Sequence, residues 1–260
     1  MGLERSSNQD RALVATLSGV AHGAPFTGCA HVKSDGLLLA VCDGMGGAAG
    51  GEVASEEAAT VLLAQMSRAT PDATAPQTVA PRLVDALRVA ARTIHAHARL
   101  DPRLRGMGTT ATVAVLADDC VVLGQVGDSR AYLFREGTLT QLTRDQSLAQ
   151  LMIEQGRLQP EEVKTFVGSN VILQAVGTSE HLDVDVREVK LTKGDVLVLC
   201  SDGLSGTVDS ADMQRVLASE ADAATACDEL IRCALAAGGP DNVTCIVARV
   251  VDLLAPDQAS

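Results

Sequence analysis

Short apolar runs that stop on a turn residue set the first limit on what this chain can fold into. "ALVATL", "LLLAVCD", "TTATVAVLA", "CVVLGQVGDS", "AYLFREG", "DVDVREV", "DVLVLCSDG" and "NVTCIVARVV" are each bounded by Gly, Asp, Asn or Ser. That is the pattern of strands rather than helices. "AYLFREGTLTQL" predicts a hairpin turning at Glu136-Gly137, and strands joined so closely pair antiparallel. Helical periodicity occupies other stretches. "GEVASEEAATVLLAQMS" carries acids where its first turn is predicted, and "PRLVDALRVAARTIHAHARL" opens at Pro81. "DQSLAQLMIEQGRL" and "QPEEVKTF" read as a helical pair, and "DSADMQRVLAS" and "DAATACDELIRCALAAG" as two further helices, the last stopped by Gly238-Gly239. Residues 67–81 read as a loop between two helices of one layer. Strands grouped with strands and helices with helices predict an α+β sandwich. With no repeat and no shift in composition, one domain is expected over residues 1–260.

Composition narrows the chemistry. Of the 260 residues, 47% are hydrophobic but only 2% aromatic, with no Trp, so the core has to be aliphatic. The net charge of −12 argues against a general nucleic-acid binder, which shows a basic footprint, and against docking on anionic lipid. The seven cysteines form no CxxC pair, and several sit inside apolar runs. They read as reduced core thiols rather than a disulfide framework. "MGLERSSNQDR" lacks a signal-peptide core, and no apolar run reaches the length of a membrane span. A soluble, cytoplasmic monomer is expected.

Four acids share one setting. Asp43 in "AVCDGMGG", Asp128 in "GQVGDSRAY", Asp202 in "LVLCSDGLSG" and Asp241 in "GGPDNVT" each stand at a strand terminus beside Gly or Asn. Any one of them alone is ordinary turn chemistry. Four of them at the ends of strongly apolar strands suggest convergence. Carboxylates gathered together cannot all stay ionised without a counter-charge. An all-oxygen donor set, with no His or Cys in these motifs, suits Mg²⁺, Mn²⁺ or Ca²⁺. Two such ions a few ångströms apart suit phosphoryl hydrolysis. Arg5, five residues before Asp10, could hold a phosphate through a two-pronged hydrogen bond.

Taken in order, Arg5-Ser-Ser-Asn8-Gln9-Asp10, Asp43-Gly44-Met45-Gly46-Gly47, Gly108-Thr109-Thr110, Gly127-Asp128-Ser129-Arg130, Ser201-Asp202-Gly203-Leu204 and Pro240-Asp241-Asn242-Val243-Thr244 resemble the metal-dependent protein phosphatases of the PPM/PP2C family. The similarity is to the bacterial serine/threonine phosphatases that oppose Hanks-type kinases, and it runs from about residue 5 to 250. The resemblance implies a four-layer α-β-β-α sandwich, with two antiparallel sheets flanked by helices. It also implies a binuclear Mn²⁺ or Mg²⁺ centre whose bridged hydroxide attacks phosphoserine or phosphothreonine on proteins. Asp43 would bridge both ions, and the Gly44 carbonyl would bind one of them. Asp202 and Asp241 would hold the other, and Asp128 with Asp202 would match the ligands of a third. Arg5 would bind phosphate, with Asp10 and Asn242 supporting. Gln9 stands where many eukaryotic members carry Glu, and Met45 where many carry a histidine proposed as general acid. Residues 145–177 resemble the family's flap, read either as a substrate-selecting segment or as a cover for a sheet edge. The implied partners are phosphorylated proteins, a Ser/Thr kinase among them.

Three other readings compete. Cys42 beside Asp43 is a tempting nucleophile, but it lacks a phosphate-loop arginine and a general-acid setting. A catalytically dead regulatory relative would usually have lost one of the metal acids. A cation-stabilised structural domain would show an EF-hand-type loop, and none occurs.

Overall fold

The computed structural model describes residues 1–22, 26–28, 36–68 and 74–252. Cys29 and His31 lie outside them. One sheet has the strand order β2-β1-β3-β5-β6-β9, built from β1 (Asp10–Thr16), β2 (Ala21–His22), β3 (Leu37–Met45), β5 (Ala111–Ala117), β6 (Cys120–Val126) and β9 (Asp185–Lys190), with β4 (Gly108–Thr109) beside β3. The second has the order β11-β10-β7-β8, from β7 (Arg130–Arg135), β8 (Thr138–Gln141), β10 (Val196–Cys200) and β11 (Cys245–Arg249). Every strand pairing within both sheets is antiparallel. Helices α1 (Ala48–Met66) and α2 (Pro76–Leu100) cover the first sheet. The short α4 (Asp202–Ser205), α5 (Ser210–Ser219) and α6 (Ala223–Ala236) cover the second. The layers run α-β-β-α, as the resemblance implied.

Each central strand is buried on both faces, which is why its sequence reads as an unbroken apolar run. Successive side chains still point to opposite faces. On β3, Leu38, Ala40 and Cys42 pack against the helices, while Leu39 and Val41 pack between the sheets. On β10, Val196, Val198 and Cys200 face helices, while Leu197 and Leu199 fill the inter-sheet core. Those parities decide where the site forms. Continued to the strand ends, the inter-sheet positions become Asp43 on β3, Asp10 on β1, Thr110 and Thr112 on β5, Gln125 on β6, Ser129 before β7, Ser201 after β10 and Thr244 before β11. The space between the sheets is hydrocarbon in the middle and polar at one end.

The hairpin at Glu136-Gly137 forms as expected, with both residues at positive φ (50° and 80°) between the paired Arg135 and Thr138. That geometry matches the right-handed twist of the flanking strands. Three expectations need correction. Helix α2 opens at Pro76, and Pro81 lies inside it. Pro76 takes the first position, where a missing N–H costs nothing, and fully buried Val79 anchors the first turn to the core. Helix α1 opens at Ala48, three residues before the predicted start, so no acid falls in its first turn. In the 145–177 segment the helical pair shrinks to α3 (Leu148–Glu154), capped by Ser147, and a 3₁₀ turn (Pro160–Thr165) opened by a Gln159/Glu162 capping box. The glycines and the scarcity of buried apolar positions leave no continuous stripe for longer helices.

Candidate metal centre

The polar end of the sandwich is assembled from separate strand ends, and backbone register does most of the placing. Asp10 and Asp43 are direct cross-strand partners in the β1–β3 pairing, so their side chains leave the same face of the sheet. Gly44 N donates to Gln9 O at 3.1 Å. A Cβ on Gly44 would stand 2.0 Å from Gly51 O, and one on Gly203 would stand 1.9 Å from Asn242 O. These two glycines let the chain segments behind the acids approach to a distance no side chain permits. Asp43 N accepts no slack either. It donates to Thr110 Oγ1 at 3.0 Å, while Thr110 N and Thr109 Oγ1 donate to Asp43 O at 2.8 and 2.9 Å.

Ser201 ties three of the segments together. Its Oγ donates to Asp10 Oδ2 at 2.7 Å and accepts from Thr244 N at 3.0 Å. Asn242 fixes the N-terminal segment, accepting from Gln9 N at 2.8 Å and donating through Nδ2 to Ser7 O at 3.0 Å. Arg5, on that segment, donates through Nη2 to Asp241 Oδ2 at 2.7 Å. Thus Arg5, Asp10, Asp43, Asp202, Asp241 and Asn242 come together at one end of the sandwich.

Electrostatics record the crowding. The Asp43 carboxyl sits close enough to Asp10, Asp202 and Asp128 to feel the charge of each. Burial, then the charges of Asp10 and Asp202, raise it well above the usual carboxylate range. Burial likewise raises Asp10 and Asp202. Asp128 is pushed up to about 7 by burial and then by the charges of Asp202 and Asp145. The Arg5 guanidinium is held more firmly charged, first by its hydrogen bond to Asp241. Cys42 is fully buried, and burial pushes its thiol up to about 12, which disfavours the thiolate a cysteine nucleophile needs.

A family model for protein phosphatase 2C matches residues 26–246 of this sequence. The chain belongs to that family. The serine/threonine protein phosphatase PstP of Mycobacterium tuberculosis is 38% identical over 221 residues, covering 85% of this chain and 42% of PstP. This chain therefore spans less than half of that relative's length. The serine/threonine phosphatase stp of Listeria welshimeri is 34% identical over 226 residues, covering 87% of this chain and 89% of stp. A crystal structure of the PstP catalytic domain in complex with two manganese ions matches with a TM-score of 0.79 at 34% identity, over 96% of this chain and 95% of that one.

The residues of this protein phosphatase 2C chain suit divalent ions. Buried Oδ1 atoms of Asp10, Asp128 and Asp202 have no hydrogen-bond partner among the described residues. Orphaned carboxylate oxygens in a buried, like-charged cluster are costly unless a cation pairs with them. Hard oxygen donors fit Mg²⁺ or Mn²⁺. Among the described residues no three acidic, imidazole or thiol groups already close round a single point as a preformed cage; Asp241 is engaged by Arg5.

The supporting hydroxyls escaped the sequence reading. Thr110, Ser129 and Ser201 sit inside the quoted motifs but were assigned no role, although Thr110 Oγ1 meets Ser129 Oγ at 2.7 Å. Gln146 was missed altogether. Gly127 N donates to its Oε1 at 2.9 Å, and its N donates to Gly127 O at 2.8 Å. That double bond clamps the base of the 145–177 segment to the turn carrying Asp128. The other end is clamped by Val176, whose N–H and carbonyl pair with Thr109 at 2.8 and 3.0 Å. The one usable signal was the strand parity described above, which turns from apolar to hydroxyl or amide at these positions.

Proposed function

We propose that this chain is a metal-dependent phosphatase that hydrolyses phosphoserine and phosphothreonine on proteins. The observation that carries the reading is the cluster of buried carboxyls, Asp10, Asp43, Asp128 and Asp202, raised by burial and mutual repulsion with Arg5 beside them. Asp43, the Gly44 carbonyl, Asp202 and Asp241 would hold two ions, with Asp128 and Asp202 available to a third. Mn²⁺ and Mg²⁺ both suit this oxygen donor set. The ions would supply positive charge that activates a water for in-line attack at phosphorus. Arg5, now paired with Asp241, would hydrogen-bond phosphoryl oxygens through its planar fork, and Asp241 would then be available to hold a cation. Asp10 and Asn242 hold the surrounding segments, Asp10 through Ser201 and Asn242 through Gln9 and Ser7.

The relatives named above support substrates that are phosphorylated proteins; a Ser/Thr kinase among them belongs to the proposal alone. A single domain, a monomeric state and a cytoplasmic setting complete the reading. Among the described residues, no helix is long and apolar enough to cross a membrane. The test is hydrolysis of a phosphothreonine peptide in Mn²⁺, with and without chelator, beside the phosphotyrosine analogue. Mn²⁺-dependent turnover of the phosphothreonine peptide is expected. Turnover indifferent to chelator, or confined to phosphotyrosine, contradicts the proposal.

A further inference from the structure

Three thiols meet under the second sheet, and the phosphatase reading uses none of them. Cys200 and Cys245 are direct cross-strand partners on β10 and β11. Cys227, half-buried on α6, donates through Sγ to the Cys245 carbonyl at 3.4 Å, which places the two side chains side by side between helix and strand. We propose that Cys227 and Cys245 form an oxidisable thiol pair, which hydroperoxide converts to a disulfide joining α6 to β11 and slowing the enzyme. The effect on turnover rests on the phosphatase reading; the disulfide itself does not.

Cys42, Cys200 and Cys120 are poorer targets. Cys42 and Cys200 are fully buried, and burial pushes both thiols up to about 12. Cys120 is pushed up to about 11, first by burial. Cys227 is only half-buried, so peroxide can reach it, its thiol is held below its usual range, first by Cys245, and a thiolate is the form that attacks peroxide. The Cys227 sulfur takes one peroxide oxygen as the O–O bond breaks. This gives a sulfenic acid, and the peroxide is reduced to an alcohol or water. The Cys245 sulfur then attacks that sulfur, the S–O bond breaks, and the oxygen departs as water with the Cys245 proton. One peroxide is consumed and two thiols become one disulfide.

Closing the bond sets the sulfurs about 2.05 Å apart, a constraint that β11 and α6 have to accommodate. β11 follows Asp241 and Asn242 across Val243 and Thr244, and Thr244 is tied both ways to Ser201, by Thr244 N to Ser201 Oγ at 3.0 Å and Ser201 N to Thr244 O at 3.1 Å. A displacement there reaches the acids, and misplacement by about 1 Å can cost on the order of 100-fold in rate.

The experiment treats the full chain with hydrogen peroxide, maps its peptides by mass spectrometry without reduction, and measures phosphothreonine-peptide turnover before and after. A Cys227–Cys245 link is expected, with turnover falling about tenfold or more and recovering in dithiothreitol. Cys227→Ser and Cys245→Ser should each abolish the link and the sensitivity. No link, a link to Cys200 instead, or complete linkage with unchanged turnover overturns the proposal. A reduced protein without turnover counts against the phosphatase reading; the map then still decides the pair, and the slowing is read as weaker Mn²⁺ binding by calorimetry.

Discussion

Ser201 Oγ donates to a buried carboxylate and accepts from a buried N–H, so Ser201→Ala leaves both Asp10 Oδ2 and Thr244 N short of a partner. Stranding such groups costs about 1–3 kcal/mol each. Urea unfolding in chelator should show a loss in that range, and a loss below about 0.5 kcal/mol would remove Ser201 from the framework. Asp43→Asn separates structure from chemistry. It should lower turnover at least about 100-fold, yet leave stability in chelator equal or higher, because it removes one of four mutually repelling acids. Near-normal turnover would refute the assignment. Asp128 gives a pH signature. Its carboxyl titrates near 7 when folded against a usual value of 3.8, so the folded state binds the proton more tightly. The stability this contributes is present below pH 4 and lost as pH rises through 7, on the order of 4 kcal/mol in the metal-free protein. In chelator, Asp128→Asn should gain stability on wild type across that window, read by thermal melts from pH 4 to pH 8; a constant difference contradicts the assignment. At this scale the four acids were legible because each stands at the end of an apolar strand beside a glycine or asparagine. Ser201, Thr110 and Gln146 were not, because their partners lie on other strands and only three-dimensional register brings them into reach.

Elements fix how closely those residues can approach. Ala at Gly203 would put a methyl 1.9 Å from Asn242 O, backbone that cannot swing away. Gly203→Ala is expected to destabilise by about 1–3 kcal/mol and to weaken Mn²⁺ binding, since Asn242 adjoins Asp241. Unchanged melting and unchanged calorimetry would show that the α4 turn is freer than its packing implies. Strands were readable almost end to end, because burial on both faces leaves an unmistakable apolar run closed by a turn. Helix starts were less so. The Pro76 start of α2 is set by Val79 docking on the sheet, a tertiary contact that local periodicity does not contain. The 145–177 segment is held by Gln146 at Gly127 and by Val176 at Thr109, so its ends are framework whatever its middle selects.

For the whole molecule, two sheets share one aliphatic core whose polar end gathers like charges in a chain of net charge −12. Ions that bind the folded state alone should stabilise it by about 2.7 kcal/mol at a hundredfold excess over Kd. The melting temperature should therefore rise with Mn²⁺, fall with chelator, and show neither change in Asp43→Asn. The α-β-β-α layering followed from grouped strands and helices together with the motif order, whereas the shared inter-sheet parity of Asp10, Asp43, Ser201 and Thr244 emerged only from the pairing register. The most direct check is a crystal grown in manganese and measured for anomalous scattering. Two strong peaks among Asp43, Asp202 and Asp241, with Asp43 contacting both, is the predicted result. Density without a peak there, or these carboxylates turned away from one another, would contradict it.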